Sequence, residues 1–152
     1  MRAFILMLAI LVVAPASAAE SEADKAQATA LLKEGVALLK SQAFEEALAR
    51  FERAYALVPS PKIEFNRGLA YEGLARPAHA WEAFQRYLDG ATTDTAERRR
   101  DAESHQARLA LRIAFLMVKA AEAGAVASVD GHEIGTTPLP RAVAVEPGPH
   151  QV

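Results

Sequence analysis

The 152-residue chain has no cysteine, which excludes a disulfide framework, a thiol nucleophile, thiolate metal ligands and a lipid-modified N-terminal cysteine. It has no excess of positive charge either. Its 17 basic and 19 acidic side chains give a net charge of −2, whereas nucleic-acid phosphates require a concentrated basic face, so nucleic acid is not an expected partner. Aromatic residues make up only 7% of the chain. None follows Phe115, which leaves the C-terminal region without rings on which a sugar could stack.

Long apolar runs are also scarce. The uncharged run from Ala3 to Val13 covers eleven residues and rises about 16 Å as a helix, roughly half the hydrocarbon thickness of a bilayer. Arg2 precedes it, and Pro15 with the small residues Ala16, Ser17, Ala18 and Ala19 follows. Residues 1–19 therefore read as a secretory signal peptide, cleaved before Ala19 or Glu20, with no permanent membrane span. The expected location is the periplasm or cell envelope. Losing Arg2 takes the net charge from −2 to near −3.

From Lys25 to Leu57 apolar residues recur at helical spacing, first Leu31, Leu32, Val36 and Leu39, then Phe44, Ala47, Leu48, Phe51 and Ala54. Two amphipathic helices are predicted, with Ser41 as N-cap of the second. Pro59 and Pro61 punctuate, and the pattern restarts: Gly35 recurs as Gly68, Ala47 as Ala80 and Phe51 as Phe84, all at one shared interval. A fixed period of this length is the mark of a repeat array. Small Gly35, Gly68, Ala47 and Ala80 let helices approach closely, and Phe51 and Phe84 are expected to fill the space between units.

A further helix is predicted from Asp94, which forms a capping box with Glu97, to about Leu111. Glu97, Asp101 and Glu103 balance Arg98, Arg99 and Arg100, as on a solvated, internally paired face that ends a repeat stack. After Arg112 the pattern turns β-prone, through Ile113–Val118, Val126, Val129, Ile134, Val143 and Val145. Asp130-Gly131 suits a tight hairpin turn, and Pro147-Gly148 supplies a second turn.

These landmarks resemble the tetratricopeptide family, whose 34-residue helix-turn-helix unit carries Gly, Tyr three residues on, Ala-x-x-x-Phe and a closing Pro. Gly68 with Tyr71, Ala47 with Phe51 and Pro59, and Ala80 with Phe84 carry the match, from Ala28 to about Thr92. Leu31 and Glu64 replace the family tryptophan, Leu38 the first tyrosine and Thr92 the second proline. The β-prone segment resembles the PEGA domain through Gly124-Ala125, Val129-Asp130-Gly131, Gly135-Thr136-Thr137-Pro138 and Glu146-Pro147-Gly148. Its opening motif is degraded to Ala121-Glu122-Ala123-Gly124-Ala125, and a further strand is expected where the sequence stops at Val152. The expected fold is mainly α: about two tetratricopeptide repeats over residues 20–92, a capping helix over 93–112 and an incomplete PEGA-like β module over 113–152.

The resemblance implies a concave groove lined by Thr29, Leu32, Val36, Leu39, Lys62, Phe65, Leu69 and Glu72, fit to hold a protein segment. Two repeats are fewer than the three or so that stand alone, so the further helix, self-association or a ligand must cover what remains. The carboxylate-clamp subclass is poorly matched, since only Asn66 is in place. Trp81 and Tyr87 are expected to pack between helices. His79, His105, His132 and His150 are widely separated in the chain, with no pair at the i, i+3 or i, i+4 spacing of helical metal ligands. His132-Glu133 lacks the second histidine of a zincin motif, the glycines complete no phosphate loop, and Ser104 and Ser128 have neither a glycine elbow nor an adjacent base. No cofactor, metal ligand or catalytic residue is expected. The leading reading is a non-enzymatic exported interaction scaffold. The alternative is a cell-wall or polysaccharide-associated structural protein whose β module makes the main contact.

Overall fold

The computed structural model describes residues 21–120 and 123–152. The expected signal peptide and the Ala121-Glu122 start of the β motif lie outside the described residues. Five helices come first, α1 (Glu22–Lys40), α2 (Phe44–Leu57), α3 (Pro61–Gly73), α4 (Pro77–Gly90) and α5 (Ala96–Ala110), and then four short strands, β1 (Ala114–Leu116), β2 (Val126–Val129), β3 (His132–Thr136) and β4 (Val143–Val145). The mainly helical layout with a small C-terminal β module is as the sequence predicts.

Local chemistry starts and stops these helices. Ser21 caps α1 reciprocally with Asp24, its hydroxyl accepting from the Asp24 N–H at 3.0 Å and the Asp24 carboxylate accepting from the Ser21 N–H at 3.2 Å. Ser41 does not cap α2. It ends α1, and its hydroxyl donates to the Leu38 carbonyl at 3.0 Å. The reason is the turn that follows. Gln42 takes a left-handed φ of +61°, with Gln42 N–H donating to Leu39 and Ala43 N–H to Leu38, the paired bonds of a Schellman motif. The same motif recurs one repeat later, where Ala75 has a φ of +55° and Ala75 and Arg76 donate to Glu72 and Tyr71. The repeat therefore extends from side-chain landmarks to turn geometry.

Packing gives the glycines their purpose. A Cβ on Gly68 would lie 2.8 Å from Phe84 ring carbons, and one on Gly35 would overlap the Phe51 ring. Each phenylalanine thus fills the glycine notch of its own helical hairpin, where the sequence suggests a filler between units. Between units the filler is Phe44, whose ring a Cβ on Gly73 would overlap. Ala47, Ala80, Phe51 and Phe84 are fully buried and Tyr71 nearly so.

The start of α5 also differs from expectation. Thr95 is the N-cap, accepting from the Arg98 N–H at 3.3 Å. Asp94 instead accepts from the Thr95 N–H at 2.8 Å and from the Tyr87 hydroxyl at 3.0 Å. Burial, reinforced by that bond, pushes the Tyr87 phenol up to about 12. The arginine run is not simply paired with its acids: Arg99 donates to the Leu88 and Ala91 carbonyls, at 3.2 and 2.7 Å, at the C-terminal end of α4, and Arg98 lies over the Phe65 ring. Ala102 and His105 stand close to one repeat length beyond Gly68 and Tyr71. Ala102 is fully buried and His105 stacks on Phe84 with centroids 4.7 Å apart, so α5 packs on the second hairpin as the first helix of a third unit would.

In the β module β1 pairs antiparallel with β4, and β2 with β3. Asp130 and Gly131, with φ of +51° and +79°, form the tight β2–β3 turn expected of that dipeptide. At Pro147-Gly148 the chain bends without a turn hydrogen bond of its own among the described residues, and Gly148 takes a φ of +144° instead of the left-handed value expected.

Candidate functional site

The expected groove residues divide into two sets. Thr29 is exposed on α1, and Leu32, Val36, Leu39 and Leu69 are half-buried against the helical core. Thr29 and Leu32 meet Val58, Ser60 and Ile63 in a shallow cleft of about 190 Å³ between α1 and the start of α3. Lys62 is exposed. The second set is covered by α5. Phe65 is buried, with its ring edge-on to Phe84 and Tyr87 at 5.5 and 5.2 Å. The Glu72 carboxylate meets His105 Nδ1 and lies 3.7 Å from the Arg108 guanidinium. Burial alone would raise the Glu72 carboxyl, but His105 and Arg108 hold it below the usual carboxylate range. Phe65 thus belongs to the core rather than to an open wall, because α5 lies over this end of α3.

A larger cleft, of about 620 Å³, lies where the β module meets α4. Glu82 on α4 accepts from the Ala144 N–H of β4 at 3.2 Å, and Arg141 bridges Asp89 and Glu82 at 3.0 and 3.4 Å. Glu146 caps α4 from the other side of the seam. The α4 N-cap position, Arg76, makes no side-chain bond to the helix, and the Glu146 carboxylate accepts from the Ala78 N–H at 3.0 Å, where a negative charge is favoured by the helix dipole. Sequence reading treats Glu146 as a turn residue; the uncapped Arg76-Pro77 start was the available hint that a distant acceptor was needed.

Three of the four histidines converge on this cleft, His79, His132 and His150, with Asp130, Glu133 and Glu146 among them. His79 lies tilted against the Tyr71 ring at 5.2 Å, and desolvation there lowers its pKa. Among the described residues no serine or threonine lines the cleft, and no group of three histidine, aspartate or glutamate side chains is placed to hold a metal ion. No described helix is long and apolar enough to cross a membrane. Trp81, expected to pack between helices, is half-buried and meets the Phe115 ring edge-on at 5.1 Å. Tyr87 is fully buried.

His150 fastens the last residues to the β2–β3 turn. Its Nδ1 lies 2.6 Å from the Asp130 carboxylate and its Nε2 2.5 Å from the Glu146 carbonyl, so both ring nitrogens face acceptors and both carry protons when the clasp is closed. Asp130 N–H also donates to the Gln151 carbonyl, and Gln151 N–H donates back to Asp130. The Asp130 carboxylate and the Glu146 carbonyl raise the His150 pKa above its ordinary 6.5. The Gln151 amide, then His150, lowers that of Asp130. A raised histidine pKa stabilises the folded state fully below the unfolded value and loses that stabilisation as pH climbs through the folded value. The clasp is therefore expected to close in acid and loosen on the alkaline side of 6.5. NMR titration should place the His150 midpoint above 6.5, and Asp130→Asn should return it towards the ordinary value. An unshifted midpoint in the unmodified chain would contradict the clasp.

No protein-family model, curated protein or solved structure was found to match this chain.

Proposed function

We propose that this protein is an exported, non-enzymatic interaction scaffold, built from tetratricopeptide-like hairpins and a PEGA-like β module, that holds a protein segment along α1 and the start of α3. The observation that carries the reading is the row Thr29, Leu32, Val36 and Leu39, which stays exposed or half-buried on α1 while α5 covers Phe65. Apolar side chains left partly open beside a shallow cleft suit the anchors of a helix or extended segment. The doubled glycine notches and left-handed turns, at a common spacing along the chain, support the repeat reading.

Photocrosslinking in the exported protein tests it. A photoreactive residue at Leu32 should trap a discrete protein adduct, while one at exposed Arg53 on α2 should not. Thr29→Arg, at an exposed position of the same row, should abolish the Leu32 adduct and leave the thermal midpoint unchanged. Identical adducts from both sites, none from Leu32, or an adduct unaffected by Thr29→Arg would refute the groove.

A further inference from the structure

The cleft between the β module and α4, at about 620 Å³, falls within the ~300–1,000 Å³ of ligand pockets, whose walls are mostly apolar with a few convergent polar groups. Val129, Ile134, Leu139 and Val145 supply the apolar wall. The acids on the cleft are already engaged. Glu82 accepts from the Ala144 N–H and the Arg141 guanidinium, Asp130 from His150 and the Gln151 N–H, and Glu146 from the Ala78 N–H. Glu133 turns the other way. It stands opposite exposed Ser128, whereas His132 stands opposite buried Val129, and residues paired across a ladder share one face of the sheet. The basic groups on the cleft are less committed. Among the described residues the histidine hydrogen bonds belong to His105 and His150, leaving the His79 and His132 rings without one, and Arg86 commits only its Nε, to Glu64 of α3. Desolvation lowers the His79 pKa, opposed by Glu146 and reinforced by Arg76, His132 and Arg86, so these groups lie near enough to act on one ring.

We propose that this cleft binds an aliphatic monocarboxylate, its chain against Val129, Ile134, Leu139 and Val145 and its carboxylate on His79, His132 and Arg86. The uncommitted donors select the charge. Facing a carboxylate they make charge-assisted hydrogen bonds, roughly twice as strong as neutral ones. One negative charge matches one arginine already shared with Glu64, and a phosphate dianion would find no second, because Arg141 is held by Asp89 and Glu82. The wall selects the body of the ligand. Among the described residues no phenylalanine, tyrosine or tryptophan lines the cleft, so an aromatic or sugar ring has nothing to stack on. An anion beside His79 favours the charged imidazole, and affinity therefore rises as pH falls. Arg76, Arg86, Glu146 and, from β3, His132 face that ring, with Tyr71 of α3 against it, while His150 and Asp130 face each other. The site shares no residue with the α1 row, so each reading can fail without the other.

Calorimetric titration of the full exported chain with octanoate, n-octanol and octyltrimethylammonium tests the proposal, since the three share a chain and differ in charge. Octanoate should bind on the order of tenfold more tightly than octanol, and the cation weakest of all. Octanoate affinity should rise roughly threefold from about pH 8 to about pH 6 while that of octanol stays constant. In the unmodified chain, saturating octanoate should raise the His79 midpoint in an NMR titration, a readout that needs no variant. The double change His79→Ala with His132→Ala, both at exposed positions, should shrink the preference for octanoate to about twofold or less without moving the thermal midpoint. Equal affinity for octanoate and octanol, tighter binding of the cation, an unmoved His79 midpoint at saturation, a preference that survives the double change, or no octanoate binding at millimolar concentration would overturn the proposal.

Discussion

Replacing Glu64 by alanine is expected to cost about 3 kcal/mol of folding stability, the lower end of the ~3–5 kcal/mol for breaking a buried ion pair. Glu64 is only 2% exposed on α3, and one of its carboxylate oxygens takes Arg67 at 3.0 Å and Arg86 of α4 at 3.1 Å. Removing the carboxylate leaves two cations facing each other. Arg86 is 40% exposed and can turn to water, whereas Arg67 is 16% exposed and is held over the Tyr55 and Tyr71 rings. That difference places the expected loss at the low end. Among the described residues the second Glu64 oxygen and Arg67 Nε have no hydrogen-bond partner, so the cluster is incompletely satisfied. Glu64→Leu combined with Arg67→Leu should accordingly recover most of the loss, since apolar replacement of a whole buried pair is often neutral. Urea denaturation reads both. A single-mutant loss below about 0.5 kcal/mol, within the usual range for a surface change, would mean that Glu64 is not held as an ion in the core.

Gly68→Leu should cost about 3 kcal/mol, the upper part of the ~1–3 kcal/mol range for overpacking a core, and Gly35→Leu should behave alike. The first added atom already falls within 2.8 Å of the Phe84 ring. That ring is fully buried, edge-on to Phe65 and stacked on His105, so it has no free volume to move into. Leaving glycine gains at most about 1 kcal/mol of helix propensity, which does not offset the clash. Gly68→Leu with Phe84→Ala should be more stable than additivity predicts, by about 1–3 kcal/mol, because the smaller partner opens the space that leucine needs. Strict additivity in a double-mutant cycle would show that the two positions do not share a notch.

Much of the helical half was legible because its determinants are short-range or periodic. Amphipathic spacing, the break at Pro59 and Pro61, and the Asp130-Gly131 turn act within a few residues. The recurrence along the chain places a glycine opposite a phenylalanine wherever the hairpin is repeated. Ser41 misled because a hydroxyl near a helix boundary can close the helix before it as readily as open the one after it. The left-handed Gln42 decides between them, and nothing in its side chain announces that φ. Asp94 misled for a related reason: the buried Tyr87 hydroxyl competes for its carboxylate, and Thr95 caps α5 instead.

By itself the sequence determined the helical period, the recurrence of Gly35 and Phe51 as Gly68 and Phe84, and the hairpin turn, since each depends on interactions within one turn, one hairpin or one repeat; that each phenylalanine fills the notch of its own hairpin was decided by packing. Tertiary structure alone decided that Glu64 is buried between two arginines and that α5 lies over Phe65. It also decided that Glu82, Arg141 and Glu146 seat the β module on α4, with His79, His132 and His150 around one cleft. Those outcomes depend on through-space distances between residues that lie far apart in the chain, and neither propensity nor spacing encodes them until the helices have packed.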